Sequence, residues 1–401
     1  MAQRERGIMS KICVTNVGAY GHINPSIAVI ERLVNRGFDV HYFATESFRD
    51  VIESVGAMFE PYDSKFASMT LQRKGGTFDL SKIPGELAAE CVHVLPQLYP
   101  KIQDLAPDLV IYDSLCHAGR LVARELEIPT VRFCPVLPSN QSWSIRSELE
   151  IENWNALPSV QRSVFENFEK VRLALGFKPV SASQLFDLES DHNIVFMPSQ
   201  FHPASEGFDD RFHFVGPCLR RAAPSDTTKF STKDNMVFIS LGTLFNQWPE
   251  FPEICFEAFG DGVWNVVMSV GKGTQVPSNI PPNFTLLEFA PQLSLLQKAR
   301  AFITHGGINS IMEAGLFEVP MVVIPQMVEQ EVNARQVERL GLGVQLAASA
   351  VTPQSLRKAF NPLPEGQGFR DSLSRFKQDC LDSGGVDVAA EWVARACPSR
   401  I

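Results

Sequence analysis

The run Thr304-His305-Gly306-Gly307-Ile308-Asn309-Ser310, with Glu313 one turn further on, carries donors and a carboxylate suited to a nucleotide. It follows an apolar segment and opens a helical one, so Gly306 and Gly307 stand at a helix start. Backbone N–H groups there have no intrahelical partner, and the helix dipole favours an anion. His305, Asn309 and Ser310 add side-chain donors, which makes a diphosphate the natural guest. Glu313 falls on the same helical face as Asn309 and could accept two ribose hydroxyls, as acidic residues do in other nucleotide sites. A ligand-free turn capped by Ser310 or Asn309 would carry the same pattern.

A second group lies near the N-terminus. Gly18-Ala19-Tyr20-Gly21-His22-Ile23-Asn24-Pro25 joins an apolar run to a helical one. The glycines do not spell G-x-G-x-x-G, so the dinucleotide fingerprint is absent. His22 in that loop reads equally as an exposed general base at a cleft or as a solvated, capping histidine. Asp113 ends another apolar run. Beside His22 it would accept from one imidazole nitrogen, set the tautomer and leave the other nitrogen to take a proton; alone, it reads as a strand-end turn residue.

The elements that must hold these groups alternate in βα style. Residues 11–17, 39–45, 108–114, 129–135, 193–199 and 212–217 read as buried strands, with helices over 24–36 and 118–127. Continuous Val, Ile and Phe runs between helices indicate parallel strands covered on both faces. The second half repeats the style with strands at 236–242, 263–270, 284–289, 301–304 and 320–324. The expected fold class is therefore α/β, with two Rossmann-like, doubly wound domains in succession. The expected division is 1–216, a Pro-, Ser-, Thr- and Arg-rich linker at 217–233, 234–385, and a terminal segment 386–401. Ligands of such sheets bind beyond the carboxyl ends of the strands, where both groups of residues fall. Between the N-terminal strands, Phe66, Phe78, Phe133, Trp143 and Phe186 suggest an apolar pocket, with peripheral core as the plainer reading.

The 401 residues suit two domains. A net charge of −9 argues against nucleic acid as a partner. No apolar run approaches the roughly 18 residues of a membrane span. No secretory signal is evident, and the eight cysteines are scattered without a C-x-x-C pair, which fits reduced thiols in a cytoplasmic protein. No Asp-x-Asp motif or histidine ligand spacing suggests a metal, and a monomer is the default expectation.

With its flanks, the glycine turn becomes specific. Residues 289–330, from Phe289-Ala290-Pro291-Gln292 to Pro325-Gln326-Met327-Val328-Glu329-Gln330, resemble the donor-binding signature of the UDP-glycosyltransferase family, which includes plant secondary-product enzymes and bacterial macrolide and flavonoid glycosyltransferases. Gly21-His22-Ile23-Asn24-Pro25 resembles the N-terminal motif of the bacterial members, and Ile239-Ser240-Leu241-Gly242-Thr243 the start of the family's second domain. The likeness spans nearly the whole chain.

The resemblance implies a GT-B fold, with two domains facing a cleft and the last helix crossing back to the first domain. It implies inverting transfer of a hexose, glucose by analogy, from UDP to a hydroxyl of a small apolar acceptor, with no cofactor or metal. Phe289 would stack on uracil where the family usually has Trp; Gln292 would meet base or ribose; Glu313 would hold the ribose. His305, Gly307, Asn309 and Ser310, with Thr243, would hold the phosphates. Glu329 and Gln330 stand at the usual Asp-Gln pair for the sugar hydroxyls. His22 and Asp113 match the catalytic base and its partner. A nicotinamide oxidoreductase, a UDP-sugar epimerase of the same fold and a non-catalytic UDP-sugar-binding protein remain as alternatives.

Overall fold

The computed structural model of the protein describes residues 9–66, 73–74, 77–78, 83–145, 159–179, 190–220, 235–242, 248–271 and 278–398. The first half contains β1 (Lys11–Thr15), β2 (Asp39–Ala44), β3 (Met58–Pro61), β4 (Arg73–Lys74), β5 (Thr77–Phe78), β6 (Leu109–Asp113), β7 (Thr130–Cys134), β8 (Asn193–Val195) and β9 (Phe212–Phe214). Its helices are α1 (Tyr20–Asn35), α2 (Arg49–Glu53), α3 (Ile83–Leu105), α4 (His117–Glu125) and α5 (Ser159–Ala174). Apart from the small β4–β5 ribbon, the strands form one sheet in the order β3-β2-β1-β6-β7-β8-β9. All its pairings are parallel.

The second half contains β10 (Met236–Ser240), β11 (Asn265–Ser269), β12 (Phe284–Leu287), β13 (Ala301–Thr304), β14 (Met321–Val323) and β15 (Gly343–Gln345). Its helices are α6 (Phe251–Phe259), α7 (Gln292–Leu296), α8 (Ile308–Leu316), α9 (Val328–Arg339), α10 (Pro353–Phe360), α11 (Gln367–Asp382) and α12 (Gly385–Ala396). The sheet order is β12-β11-β10-β13-β14-β15, again all parallel. Each half is thus a doubly wound, Rossmann-like sheet whose strand order reverses at one place, between β1 and β6 and between β10 and β13.

Helix α1 shows how the sequence builds the first layer. Ile23, Ile27, Ile30 and Leu33 recur at helical spacing and are at most 2% exposed, against Val14, Val40 and Ile111 of the sheet. Burying each such side chain contributes about 1.5–3 kcal/mol. The helix starts four residues before the expected boundary, because the Ala19 carbonyl already accepts from the N–H groups of His22 and Ile23 at 3.0 Å each. Pro25, a residue type that favours the first helical position, stands inside the helix. The expected strand at 193–199 stops at Val195, and Ser199–Phe201 turn into a short 3-10 helix after Pro198. The short strands β3 and β15 were not expected from the sequence.

The chain's last helix packs on the first half. Ala389, Ala390 and Val393 of α12 join the core beneath α1, and Arg32 pairs with Asp387 at 2.7 Å. The turn before α12 is tied down by the Gly385 N–H donating to the Val215 carbonyl at 2.7 Å. Of the expected linker at 217–233, residues 221–233 lie outside the described residues. No helix among the described residues is long and apolar enough to cross a membrane. Val393 is 0% exposed, so Val393→Ala should lower stability by roughly 1–3 kcal/mol from lost methyls and the cavity left behind, read as a lower urea midpoint.

Candidate active site

Asp113 ends β6 and His22 lies in the first turn of α1, just past β1, so the reversal point of the first sheet brings them together. His22 Nδ1 is 2.9 Å from Asp113 Oδ2. The His22 side chain is 12% exposed and that of Asp113 0%, so His22 is partly buried on a helix rather than exposed in a loop. Asp113 Oδ1 accepts from the Leu115 N–H at 2.8 Å, which fixes the carboxylate plane. With the carboxylate accepting, Nδ1 carries the proton and Nε2 keeps its lone pair. Burial, the largest single influence, lowers the pKa of His22; the charge and hydrogen bond of Asp113, helped by Glu329, outweigh it and leave the pKa raised.

A buried polar network sets the turn that carries His22. Asn16 Nδ2 donates to the His22 carbonyl at 3.2 Å and to the Tyr42 hydroxyl at 2.9 Å. Tyr42 also meets Ser26 Oγ at 2.8 Å, and the Tyr62 hydroxyl donates to the Asn16 carbonyl. Asn16, Ser26 and Tyr42 are at most 1% exposed. The sequence reading missed them, although a polar side chain ending or interrupting a buried apolar run was the signal available.

The second group forms at the reversal point of the second sheet. Gly306 has φ +86° and Gly242 φ +87°. A Cβ at Gly242 would lie 2.8 Å from the His305 ring, and one at Gly307 would lie 2.7 Å from His305 Nε2. The imidazole is therefore wedged between two positions that only glycine can fill. Burial lowers its pKa to about 4, opposed by the Ser240 backbone, so His305 is a neutral imidazole at pH 7. Helix α8 begins after Gly307 with no side-chain cap, leaving its first N–H groups for an anion. Asn333 Nδ2 braces the turn by donating to the Gly306 carbonyl at 2.9 Å.

Gln292, at the start of α7, reaches α8. Its Nε2 donates to Glu313 Oε2 at 2.6 Å and to Ser310 Oγ at 3.2 Å. Burial pushes the Glu313 carboxyl up to about 7, against the lowering effect of the Gln292 bond. Phe289 is 65% exposed at the cleft mouth, its ring 5.9 Å from that of Tyr20 in the other half. Burial also raises the pKa of Glu329, partly offset by the nearby His22. Gln330 is buried, and its Oε1 accepts from the Gln326 N–H at 2.8 Å.

One bond joins the two groups directly. Pro25 has no N–H to offer the Gly21 carbonyl four residues earlier. That carbonyl accepts from Asn309 Nδ2 at 2.7 Å. The turn that carries His22 and the start of α8 are thereby linked directly.

The expected acceptor pocket is partly corrected. Phe133 is 1% exposed and packs edge-on against Phe196 at 5.2 Å, within the sheet core. Trp143 is 8% exposed, packed against His202 at 4.6 Å, in the core that runs under both halves. Both face core because β7 and the segment after it are covered on both sides. Phe66 lies 6.3 Å from the His22 ring. Thr243, Phe186 and the side chain of Phe78 lie outside the described residues.

Among the described residues no three His, Cys, Asp or Glu side chains group so as to hold a metal ion.

Known proteins are similar to this chain over most of its length. Residues 261–394 match the family model of the C-terminal domain of erythromycin biosynthesis protein CIII-like proteins. The NDP-glycosyltransferase YjiC of Bacillus subtilis is 37% identical, over 94% of this chain and 95% of its own. The demethyllactenocin mycarosyltransferase of Streptomyces fradiae is 30% identical, over 96% of this chain and 86% of its own. The solved structure of the calicheamicin glycosyltransferase CalG4 superposes with a TM-score of 0.79 at 31% identity, covering 97% of this chain and 98% of that one. The glycotransferase of kitacinnamycin gives a TM-score of 0.87 at 28% identity, covering 98% and 100%. With two doubly wound domains meeting at a His–Asp pair and an uncapped glycine turn, and with relatives of this identity over this length, the chain belongs to the bacterial UDP-glycosyltransferase family of GT-B fold and is a glycosyltransferase.

Proposed function

We propose that this enzyme moves a hexose, glucose by family analogy, from UDP to a hydroxyl of a small apolar natural product such as a flavonoid or macrolide, with inversion and without a divalent metal. The observation that carries the reading is the His22–Asp113 pair facing the start of α8, joined to it through Gly21 and Asn309. We take the reaction to be cytoplasmic, in keeping with eight buried, free cysteines.

His22 Nε2 removes the proton of the acceptor hydroxyl while Asp113 stabilises the imidazolium that forms. The acceptor oxygen bonds to the anomeric carbon from the side opposite UDP as the bond to the diphosphate oxygen breaks, giving the glycoside and UDP. The leaving diphosphate gains charge, which the start of α8, Asn309, Ser310 and the neutral N–H of His305 stabilise. Phe289 offers an exposed ring to uracil. Glu313, oriented by Gln292, takes the ribose hydroxyls. Glu329 lies near enough to His22 for each to shift the other's pKa, a position that suits sugar hydroxyls between base and donor. Gln330, its carbonyl oxygen engaged with Gln326, has its amide N–H groups to offer them.

Mass spectrometry of products from UDP-glucose and a panel of phenolics and macrolides, with EDTA present, tests the proposal. A one-hexose gain on an acceptor is expected, and His22→Ala should cut kcat by about 10²–10⁴ while leaving UDP binding in place. Acceptors left unmodified by the wild type, with UDP-glucose isomerised, would overturn the reading.

The raised pKa of His22 sets the acid limb. The base must be neutral, so kcat/KM should rise with pH through a limb above the ordinary histidine value of about 6.5. Asp113→Asn removes the main raising influence and leaves burial to lower the pKa. The limb should then move to lower pH while the plateau falls by about 10²-fold or more. An unmoved limb in pH–rate profiles would contradict the assignment.

Glu313, with its carboxyl near 7, makes donor binding pH-dependent. If the carboxylate form binds ribose, the Kd for UDP should rise about tenfold from pH 8 to pH 6. Calorimetry on Glu313→Gln over the same range should show only the weaker dependence that UDP's own phosphate brings.

A further inference from the structure

One stripe of α3 grips the segment that follows β3. Lys101 Nζ donates to the Pro61 carbonyl at 2.6 Å. Gln97 exchanges two bonds with the Asp63 backbone, 2.9 Å to its N–H and 3.0 Å to its carbonyl. His93 Nε2 lies 2.8 Å from Asp63 Oδ2. Glu90 accepts from Ser64 Oγ and, at 2.9 Å, from the Lys65 N–H. Ser64 Oγ in turn accepts from the Phe66 N–H at 3.1 Å. Positions 90, 93, 97 and 101 recur at helical spacing, so one helix face holds residues 61 to 66 in register. The stripe's innermost member is Glu90, 6% exposed, and the segment it holds delivers Phe66 to the His22 ring at 6.3 Å and 70°. Phe66 packs there with Leu115 on Val17, Ala19 and Cys116, an apolar patch beside the base.

Building on the proposed transfer reaction, we propose that Phe66 is an acceptor-specificity residue that seats a flat, apolar ring beside His22 and excludes water from it, and that Glu90 is the residue that positions it. A buried carboxylate holding one hydroxyl and one N–H fixes the two residues before Phe66 more firmly than packing alone, because charged hydrogen bonds are the stronger ones. With Phe66 in place, an acceptor ring has one apolar wall and its hydroxyl points at Nε2. With Phe66 displaced, water reaches the base, and UDP-sugar plus water gives free sugar plus UDP.

The test compares Glu90→Ala, Glu90→Gln, Phe66→Ala and the Glu90→Ala/Phe66→Ala double variant in steady-state kinetics with a planar phenolic acceptor. Hydrolysis of the donor without acceptor is measured alongside. Glu90→Ala should raise the acceptor KM about tenfold, the measure of one lost charged hydrogen bond. It should leave the donor KM unchanged and raise hydrolysis relative to transfer. Phe66→Ala should do the same, and the double variant should be no worse than Phe66→Ala, because the first residue acts through the second. Glu90→Gln, which can still accept from the Lys65 N–H, should recover most of the loss. If Glu90→Ala does not fold, His93→Ala loosens the same segment and should shift acceptor KM in the same direction. An unchanged acceptor KM in Phe66→Ala, or additive effects in the double variant, would overturn the inference while leaving the transfer reaction intact. A wild-type protein that glycosylates no acceptor would overturn the proposed function itself.

Discussion

Two neighbouring parallel strands that send their connections to opposite faces leave a crevice at their carboxyl ends, and both halves of this chain place their candidate site groups there. In the first half the strands are β1 and β6, and the groups are His22 and Asp113. In the second they are β10 and β13, and the groups are the Gly242 turn and the His305–Gly307 turn. Parallel strands pair in fixed register, Thr15 with Tyr112 and Ser240 with Thr304. The distance between the two turns of each half is therefore set by backbone hydrogen bonds far more than by the side chains themselves. The 2.9 Å approach of His22 to Asp113 follows from that register and from the early start of α1.

The same geometry explains why the two histidines differ in charge behaviour. Both are withdrawn from water, which disfavours the imidazolium. His22 has a carboxylate on Nδ1, and the attraction exceeds the burial cost. His305 has two glycines around it, and the Ser240 backbone offsets the burial only in part. His22 is thereby the more readily protonated of the two, and His305 the more firmly neutral. The Asn16–Tyr42–Ser26 network serves the first of these. Each buried hydroxyl or amide left unpaired would cost about 1–3 kcal/mol, so the network tolerates few rearrangements of the turn that carries His22.

Much of this was legible in the sequence, and for definite reasons. Continuous apolar runs between helices can form only a covered parallel sheet, so the fold class followed. His305 to Glu313 was legible because its glycines, donors and carboxylate occupy consecutive turns of one helix start. Phe133 and Trp143 were not, because composition does not say which way an aromatic ring turns. Phe133 pairs in register with Asp113, yet its ring turns to the core at Phe196. The expected start of α1 fell four residues late because Gly18 and Gly21 mark the segment as a loop. Glu90 was invisible since its role depends on residues 64 to 66, brought to it only by the packing of α3.

Pro25 stands one turn after the point where the two halves meet. A proline within a helix deprives the carbonyl four residues earlier of its partner, a cost that isolated helices avoid. Here the orphaned carbonyl is that of Gly21, beside His22, and Asn309 of α8 satisfies it. An asparagine amide carries two N–H groups, so Asn309 can hold Gly21 with one and offer the other to a phosphate oxygen at the start of α8. On the proposed reading, a single side chain would then fix the separation between the leaving group and the turn that carries His22. Proximity of this kind is worth more to a displacement reaction than any one added contact, since misplacement by about 1 Å can cost 10²-fold in rate. The proline's local cost at α1 is thereby offset from the other half, by the bond from Asn309 to Gly21.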